Sequence, residues 1–211
     1  MLRISEIFHS IQGESTRVGL PTVFVRLSGC PLRCNWCDTG YAFSGGDPFQ
    51  VGEVLERVTH FGCRHVCVTG GEPMAQKDCP ELLRALCDAG YDVSLETSGA
   101  LDLVGVDDRV SKIMDIKTPG SGESEKNRWE NLDLLGPHDE IKLVLSSRDD
   151  YEWAKRVLTD RQLAAICPVL FAPVQGRLEP AQLAEWILQD RLPVRFQLQL
   201  HKVLWGAERG R

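Results

Sequence analysis

Short apolar runs alternate with helical patterns along this 211-residue chain, and this alternation limits the possible folds more than any other feature. The predicted strands are rich in β-branched and apolar residues and cover 22–27, 65–69, 92–96, 112–116, 140–145, 169–172 and 195–200. Apolar stripes at helical spacing lie between several of them, and these stripes begin at Val51, Leu82, Tyr151 and Leu183. Alternating strands and helices predict a mainly parallel sheet.

Six or seven strands are too few for a closed eight-stranded barrel. We therefore expect an α/β fold, a partial (incomplete) TIM-type barrel of about six parallel strands, in a single domain spanning residues 1–211. Asp47, Asp78 and Asp149 stand where helix N-caps are expected. Because right-handed crossovers bring the carboxyl ends of parallel strands to one face, residues that follow the strands should meet there.

Composition and charge argue against several classes of partner. The formal net charge of −6 does not favour nucleic acid. No apolar run reaches transmembrane length, and Arg3 and Glu6 interrupt the first ten residues, so we expect a cytoplasmic protein with no membrane partner. Eight cysteines in a chain with 43% hydrophobic residues are expected to be reduced thiols with one metal cluster rather than disulfides.

Three cysteines, Cys30, Cys34 and Cys37, follow the first predicted strand with the spacing C-x3-C-x2-C. Three thiolates can hold three irons of a four-iron cluster, which leaves one iron open to another ligand. Structural zinc is the alternative, and it needs a fourth ligand, for which Cys63 and Cys67 are the nearby candidates. Cys67 lies within an apolar strand, where a thiol packs as a small hydrophobe, so the spacing favours an iron–sulfur cluster.

The motif Thr69-Gly70-Gly71-Glu72-Pro73 stands directly after the second predicted strand. Glycines let a ligand approach the backbone closely, and a carboxylate can accept a hydrogen bond from an ammonium group. Taken alone, this motif is equally an ordinary βα turn. Together with the three-cysteine loop, it predicts a site for a ligand whose amino and carboxylate groups chelate the open iron.

The cysteine spacing followed by GGEP resembles the radical S-adenosylmethionine superfamily. The resemblance implies a [4Fe-4S] cluster that binds S-adenosylmethionine at its open iron, and one-electron reduction that yields a 5′-deoxyadenosyl radical. Further motifs resemble the 7-carboxy-7-deazaguanine synthase family: an N-terminal EIFxxxQGE hairpin at residues 6–14, before the strand that leads to the cysteines, then Arg26, Asp38-Thr39 and residues 200–202. The alternatives are a radical SAM activase that makes a glycyl radical on a partner protein and a non-enzymatic zinc-binding module.

This family resemblance also implies a reaction. It converts 6-carboxy-5,6,7,8-tetrahydropterin into 7-carboxy-7-deazaguanine with loss of ammonia, assisted by Mg²⁺, in queuosine and 7-deazapurine biosynthesis. Relatives further suggest a homodimer and a flavodoxin-type reductant.

The resemblance assigns roles to residues at the strand ends. The cofactor-binding residues are expected to be Trp36, Cys37, Asp38, Gly71, Glu72, Ser98, Asp115 and Lys117. The substrate-binding residues are expected to be Ile11, Gln12, Gly13, Arg26, Thr69, Glu96 and His201. Thr39 is expected to hold Mg²⁺, which prefers oxygen ligands.

Four of these assignments have structural alternatives. Arg26 is expected to clamp the substrate carboxylate as a fork, and otherwise forms a surface salt bridge. Thr39 is otherwise a turn residue, and Glu96 either binds the pterin or orients its neighbours. His201 either binds substrate or fills a structural position.

Two segments are less defined by the sequence. Residues 119–131 are polar and contain glycine, which favours a solvated connection, with a lid as the alternative. The chain continues after Lys202 as VLWGAERGR. Phe171-Ala172-Pro173 stands where some relatives have a glutamine before the proline, with Gln175 as a candidate substitute.

Overall fold

The computed structural model describes residues 1–206 and 208–210 and contains nine strands in this part of the chain. They are β1 (Leu2–Ile11), β2 (Pro21–Leu27), β3 (Asp47–Phe49), β4 (His65–Gly70), β5 (Asp92–Thr97), β6 (Ser111–Ile116), β7 (Glu140–Leu145), β8 (Val169–Pro173) and β9 (Arg195–Phe196). The first six predicted strands are confirmed to within two residues at each end.

The nine strands form one sheet in the order β3-β1-β2-β4-β5-β6-β7-β8-β9. Strand β1 pairs antiparallel with β2 and β3, whereas every pairing from β2 to β9 is parallel. Within the described residues, β3 and β9 remain at opposite edges and do not pair. This confirms the incomplete barrel with an N-terminal hairpin.

Six α-helices lie between or after the strands of the described chain. They are α1 (Val51–Thr59), α2 (Cys79–Asp88), α3 (Arg148–Asp160), α4 (Leu163–Ile166), α5 (Pro180–Asp190) and α6 (Leu200–Trp205). The four predicted apolar stripes correspond to α1, α2, α3 and α5. In the described part of the chain, no helix is both long enough and apolar enough to cross a membrane.

The predicted helix caps are largely wrong. Asp47 begins β3, and the cap of α1 is Gln50, whose side chain takes part in a capping box. Asp149 lies inside α3, which Ser147 caps. Asp78 does precede α2, but its carboxylate makes no capping hydrogen bond.

The two faces of the sheet differ because successive side chains of a strand point to opposite sides. On β7, Ile141, Leu143 and Leu145 belong to the apolar core that packs against the helices. The alternate residues Glu140 and Lys142 point to the inner, concave face, where they pair with residues 14–16. The inner face is therefore polar at these positions.

The loop after β1 fills the amino-terminal end of this concave face. Thr16 donates from both its amide and its hydroxyl group to Glu140, at the start of β7. Arg17 reaches Ser111 at the start of β6 and Asp92 at the start of β5. The concave face is thus closed near the amino ends of the strands, so its accessible part lies toward the carboxyl ends.

The predicted strand at 195–200 is wrong beyond its first two residues. β9 ends before Gln197, whose backbone N–H donates to the Phe171 carbonyl of β8 and whose side-chain amide bonds both the N–H and the C=O of Ser15, at 2.9 and 2.8 Å. The amide of Leu200 then donates to the carbonyl of Gly13 at 2.9 Å, and α6 begins. His201 consequently lies on a short helix rather than at a strand end.

Candidate active site

Most of the predicted site residues converge at the carboxyl ends of the parallel strands. Thr69 on β4 donates to one oxygen of Glu96 on β5 at 3.1 Å. Gln12, in the loop after β1, donates to the other oxygen at 3.2 Å. Glu96 thus orients two predicted substrate-binding side chains, which was one of its two expected roles.

Arg26 lies on the same concave face and is held on one side. Its Nε donates to Glu6 at 2.7 Å, and the Tyr41 hydroxyl donates to the same oxygen at 2.7 Å. Burial would lower the pKa of the Arg26 guanidinium, but Tyr41 and Glu6 raise it. In the described part of the chain, neither Nη nitrogen has a hydrogen-bond partner, so the planar edge of two donors is available to an anion.

The three cysteines lie on the loop that follows β2. Cys30 and Cys34 are half-buried and Cys37 is exposed. Burial raises the pKa of the Cys30 and Cys34 thiols, so a metal is needed to favour their thiolates at neutral pH. All eight cysteines of the chain are free.

The arrangement of the three thiols also bears on the zinc alternative. Among the described residues, no group of three or more His, Cys, Asp or Glu side chains converges as a single metal ion would require. A four-iron cluster is larger than one ion, and its three cysteines bind three different irons. The donor set of three soft thiols on one loop therefore suits the cluster better than zinc.

The glycines of GGEP bring β4 directly against the cysteine loop. A Cβ atom on Gly71 would lie 2.8 Å from Cys30 Cβ, and one on Gly70 would lie 2.8 Å from the backbone nitrogen of Leu27. Gly70 also has φ of 155°. Only glycine fits these contacts, so the motif sets the distance between the loop and the ridge of backbone beside it.

Glu72 is completely buried, and its carboxylate binds only donors of the protein among the described residues. Its carboxylate accepts from the Met74 amide, the Thr97 hydroxyl, and the amide and hydroxyl of Ser98, at 2.5–3.0 Å. The expectation that the Glu72 carboxylate faces a ligand ammonium is therefore wrong. Its physical role is to tie the GGEP turn to the end of β5, and the Ser98 hydroxyl is directed to this task.

A row of buried charges crosses the site and consists of Glu14, Lys142, Asp115 and Lys117. Sequence reasoning missed Lys142, which lies at its centre. Lys142 on β7 pairs with Glu14 of the QGE motif and with Asp115 on β6, the latter at 3.3 Å. Lys117 pairs with the same Asp115 oxygen at 3.2 Å. The one available signal was a lysine at an inner position of the apolar run EIKLVL.

Asp115 retains one acceptor for a ligand. Its Oδ2 pairs with the two lysines, whereas the buried Oδ1 has no hydrogen-bond partner in the described chain. Buried polar atoms are nearly always bonded, so an orphaned acceptor at a strand end is a candidate contact for a donor group of a cofactor.

The residues after Cys37 connect this row to the cysteine loop. Thr39 lies beside Cys37, with 3.9 Å between its hydroxyl and Sγ, and donates to Asp38 at 3.2 Å. The other Asp38 oxygen pairs with Lys202 of α6 at 2.7 Å. Burial would raise the pKa of Asp38, but Lys202 lowers it.

The remaining predicted residues lie at the margins of the site. Ile11 ends β1, and Gly13 packs so closely on α6 that a Cβ atom would lie 2.8 Å from the His201 nitrogen. Trp36 on the cysteine loop has the Arg177 guanidinium 5.5 Å above its ring. His201 thus stands beside the predicted substrate loop, although Gly13 accounts for part of its packing.

Residues 119–131 differ from the expected solvated connection. They form short 3₁₀ turns that pack against the cysteine loop, with Asn35 bonding the carbonyls of Gly120 and Ser121 at 3.0 Å each. The buried Glu123 accepts from the Arg33 amide at 2.5 Å. The segment therefore supports the loop. Its buried polar residues Ser121, Glu123 and Asn131 bond within the protein, whereas residues such as Glu125 and Lys126 are exposed.

Comparisons with known proteins agree with this geometry. Residues 24–160 match the Radical SAM superfamily. The chain is 48% identical to 7-carboxy-7-deazaguanine synthase of Chlorobaculum tepidum, over 98% of this chain and 96% of that protein. It is 40% identical to the protein of the same name from Koribacter versatilis, over 98% of each.

A solved structure shows the same fold. The crystal structure of QueE from Escherichia coli matches with a TM-score of 0.74 at 24% identity, covering 95% of this chain and 94% of that one. Fold, site and sequence agree: the chain belongs to the radical SAM superfamily and, within it, to the 7-carboxy-7-deazaguanine synthase family.

Proposed function

We propose that this protein is a carbon–nitrogen lyase that forms 7-carboxy-7-deazaguanine and ammonia from 6-carboxy-5,6,7,8-tetrahydropterin, within 7-deazapurine and queuosine biosynthesis. One observation carries the proposal. The cysteine loop, the GGEP ridge and the available edge of Arg26 share the accessible end of one concave face. The proposal is supported by relatives of that name which match the chain over nearly its full length.

Cys30, Cys34 and Cys37 would hold the [4Fe-4S] cluster. When bound, the cluster and S-adenosylmethionine supply radical chemistry that no side chain of the protein can supply. The backbone of Gly71 would border the methionine part, because it is the nearest ridge to the loop. Further contacts to this cofactor would come from Trp36, Asp38, Ser98, Asp115 and Lys117, with Glu72 holding the ridge in place.

Arg26 would bind the substrate carboxylate through its two Nη groups. Glu6 and Tyr41 hold the guanidinium from behind, so little side-chain freedom is lost when the carboxylate binds. The pterin edge would lie against the backbone of residues 11–13, with Thr69 and Glu96 on the opposite wall and His201 at the rim.

We assign Thr39 to Mg²⁺. Its hydroxyl lies 3.9 Å from the Cys37 sulfur and donates to the Asp38 carboxylate at 3.2 Å. Mg²⁺ binds few protein ligands and retains water or substrate oxygens, which suits a site with one hydroxyl ligand.

Partners and location follow as part of the same proposal. A flavodoxin-type protein would deliver electrons, since Arg33, Lys126 and Arg177 each donate to a backbone carbonyl of the exposed cysteine loop and give it positive charge. A homodimer would cover exposed apolar residues such as Val203 and Leu204. Eight free cysteines suit the cytoplasm.

The glycyl-radical activase alternative accounts for the cysteines and GGEP alone. It gives no role to Arg26, or to the bonds that join Gln12 and Thr69 through Glu96. These residues build a small polar pocket wall, which suits a pterin rather than a protein backbone.

The test is anaerobic reconstitution followed by a product assay. We expect about four irons per chain and, with reductant, S-adenosylmethionine, Mg²⁺ and the carboxytetrahydropterin, a new deazaguanine by mass spectrometry. Zinc uptake without iron would support the interaction module. A glycyl radical on a partner protein, without deazaguanine, would support the activase.

A further inference from the structure

Lys142 is a buried lysine at the centre of the site, on the inner face of β7. It is 8% exposed, and its ammonium pairs with two carboxylates that come from different elements, Glu14 and Asp115. Burying an ammonium is costly unless it is paired, so both contacts are needed to keep it charged inside the protein.

The two carboxylates belong to opposite walls of the site. Glu14 ends the Gln12-Gly13-Glu14 segment that borders the proposed substrate pocket. Asp115 lies at the carboxyl end of β6, on the proposed cofactor side, where its Oδ1 has no partner among the described residues. Lys142 therefore spans the gap between the substrate wall and the cofactor wall.

The pairing continues from Glu14 to the cysteine loop. Gln199 donates to Glu14 at 2.6 Å, and Lys202 donates to Gln199 at 2.7 Å. Lys202 also pairs with Asp38 at 2.7 Å. A substrate-side segment, a central strand and the cysteine loop are thus joined through side chains alone.

We propose that Lys142 is a positioning residue for the reaction, which sets the spacing between the substrate-binding segment 12–14 and the cofactor-binding end of β6 through Glu14 and Asp115. This inference rests on the proposed function for what the two walls bind. Its structural part, the dependence of Glu14 on Lys142, can be measured without cluster, cofactor or substrate.

The charges around Glu14 define that measurement. Lys142 faces it from β7, Gln199 and His201 face it from the C-terminal segment, and Asp38 lies farther along the row. Burial opposes ionisation, but Lys142 and Gln199 lower the pKa of Glu14 to about 2. Asp115 and Glu96 are further negative charges close to Lys142.

Removing the Lys142 charge should reverse this shift. In Lys142→Met, burial dominates and the pKa of Glu14 rises above its unfolded value, so the variant loses stability as pH rises from about 4.5 toward 8. In wild type, the same group contributes stability throughout that range. The double variant E14Q/K142M has neither charge of this pair, so its stability should not show this additional decline as pH rises.

The first experiment follows thermal unfolding of the cluster-free protein from pH 4.5 to 8. We expect the Tm of K142M to fall steadily, relative to that of wild type, as pH rises. The Tm difference between the double variant and wild type should stay constant over the same pH range. If K142M folds only near pH 5, this result shows the same loss of stability with rising pH. Parallel curves for wild type and K142M would overturn the pairing.

The second experiment separates positioning from stability. The reconstituted double variant should fold, yet show KM for the pterin raised about tenfold or more, since small displacements of a binding segment are costly. The matched control is K112M/D139N, which removes another buried pair, 3.1 Å apart and at the amino ends of β6 and β7. It should lose stability and retain wild-type KM.

Two outcomes remain distinct. Wild-type KM and kcat in E14Q/K142M would show that the pair serves folding only and would overturn the positioning role. If wild type forms no deazaguanine at all, the proposed function fails, while the pH dependence of the cluster-free protein still tests the link between Lys142 and Glu14.

Discussion

The outer and inner faces of the sheet belong to the same strands and yet follow different physical rules. On β7, the outward Leu143 is completely buried in the apolar core, whereas the adjacent inward Lys142 is buried among carboxylates. The outer face is stabilised by removing apolar area from water. The inner face is stabilised by paired charges, which contribute less to stability but fix positions.

The same contrast holds on β2. Val25 faces the core, and the next residue, Arg26, faces the site with Glu6 at its back. Substitutions on the outer face should therefore change stability first, and those on the inner face should change chemistry first. Each prediction below tests this division, from the largest expected effect to the smallest.

The largest effect on function should come from the loop at the open end of the inner face. Cys34→Ala should remove the cluster and reduce turnover below detection, because two thiolates cannot replace three. The measurements are iron content and deazaguanine formation after reconstitution. Cys63→Ala is the control, since its thiol faces the Pro21 carbonyl and should leave both values unchanged.

The largest effect on stability should come from the outer face. Leu143→Ala should lower the free energy of unfolding by ~2–5 kcal/mol, because it leaves a cavity in the apolar core. Urea denaturation of the cluster-free protein measures this loss, and kcat at a permissive temperature should stay near wild type. The exposed Leu188→Ala should cost less than about 0.5 kcal/mol. A loss of kcat in a folded Leu143→Ala protein would contradict the division of roles between the two faces.

The charges of the inner face should appear in the pH dependence of stability. Glu14 has a pKa of about 2 in the folded protein and about 4.5 when unfolded. Its contribution is therefore present above pH 4.5 and lost as pH falls toward 2, by on the order of 3 kcal/mol. The stability difference between wild type and Glu14→Gln should shrink over that window, and a constant difference would contradict it.

The smallest effect should be at the magnesium site. Thr39→Val should weaken the apparent affinity for Mg²⁺ by less than about tenfold, because water can replace one hydroxyl ligand. Turnover titrated against Mg²⁺ measures the change. Thr159→Val, on the exposed side of α3, should leave the titration unaltered.

Local patterns were enough to predict six of the strands and the family. The apolar alternation located β7 at residues 140–145 with its observed ends, and the cysteine spacing with GGEP identified the superfamily that the comparisons then showed. The 7-carboxy-7-deazaguanine synthase resemblance, based on QGE, Arg26 and Asp38-Thr39, was likewise confirmed at the level of family. These signals lie within a few residues of one another or in a fixed order.

What sequence reasoning missed depends on distant partners. Glu14 and Lys142 are 128 positions apart, so their pairing has no local pattern. Residues 195–200 have strand-like alternation, but β9 ends at Phe196, and Gln197 exchanges two hydrogen bonds with the distant Ser15. The polar segment 119–131 is buried in part because Asn131 bonds the carbonyls of residues 99 and 101.

Contacts from the C-terminal helix reach the cysteine loop. Lys202 pairs with Asp38 from α6, so this helix contacts the cysteine loop. The last residue, Arg211, lies outside the described residues.

The most direct test of the division between the faces uses two adjacent residues of β2. Val25→Ala and Arg26→Gln are compared for unfolding free energy without the cluster and for deazaguanine formation with it. We predict that Val25→Ala loses roughly 2–3 kcal/mol and keeps its kcat, while Arg26→Gln keeps its cluster and loses at least about 100-fold in turnover. Unchanged turnover in Arg26→Gln, with its cluster intact, would contradict the account.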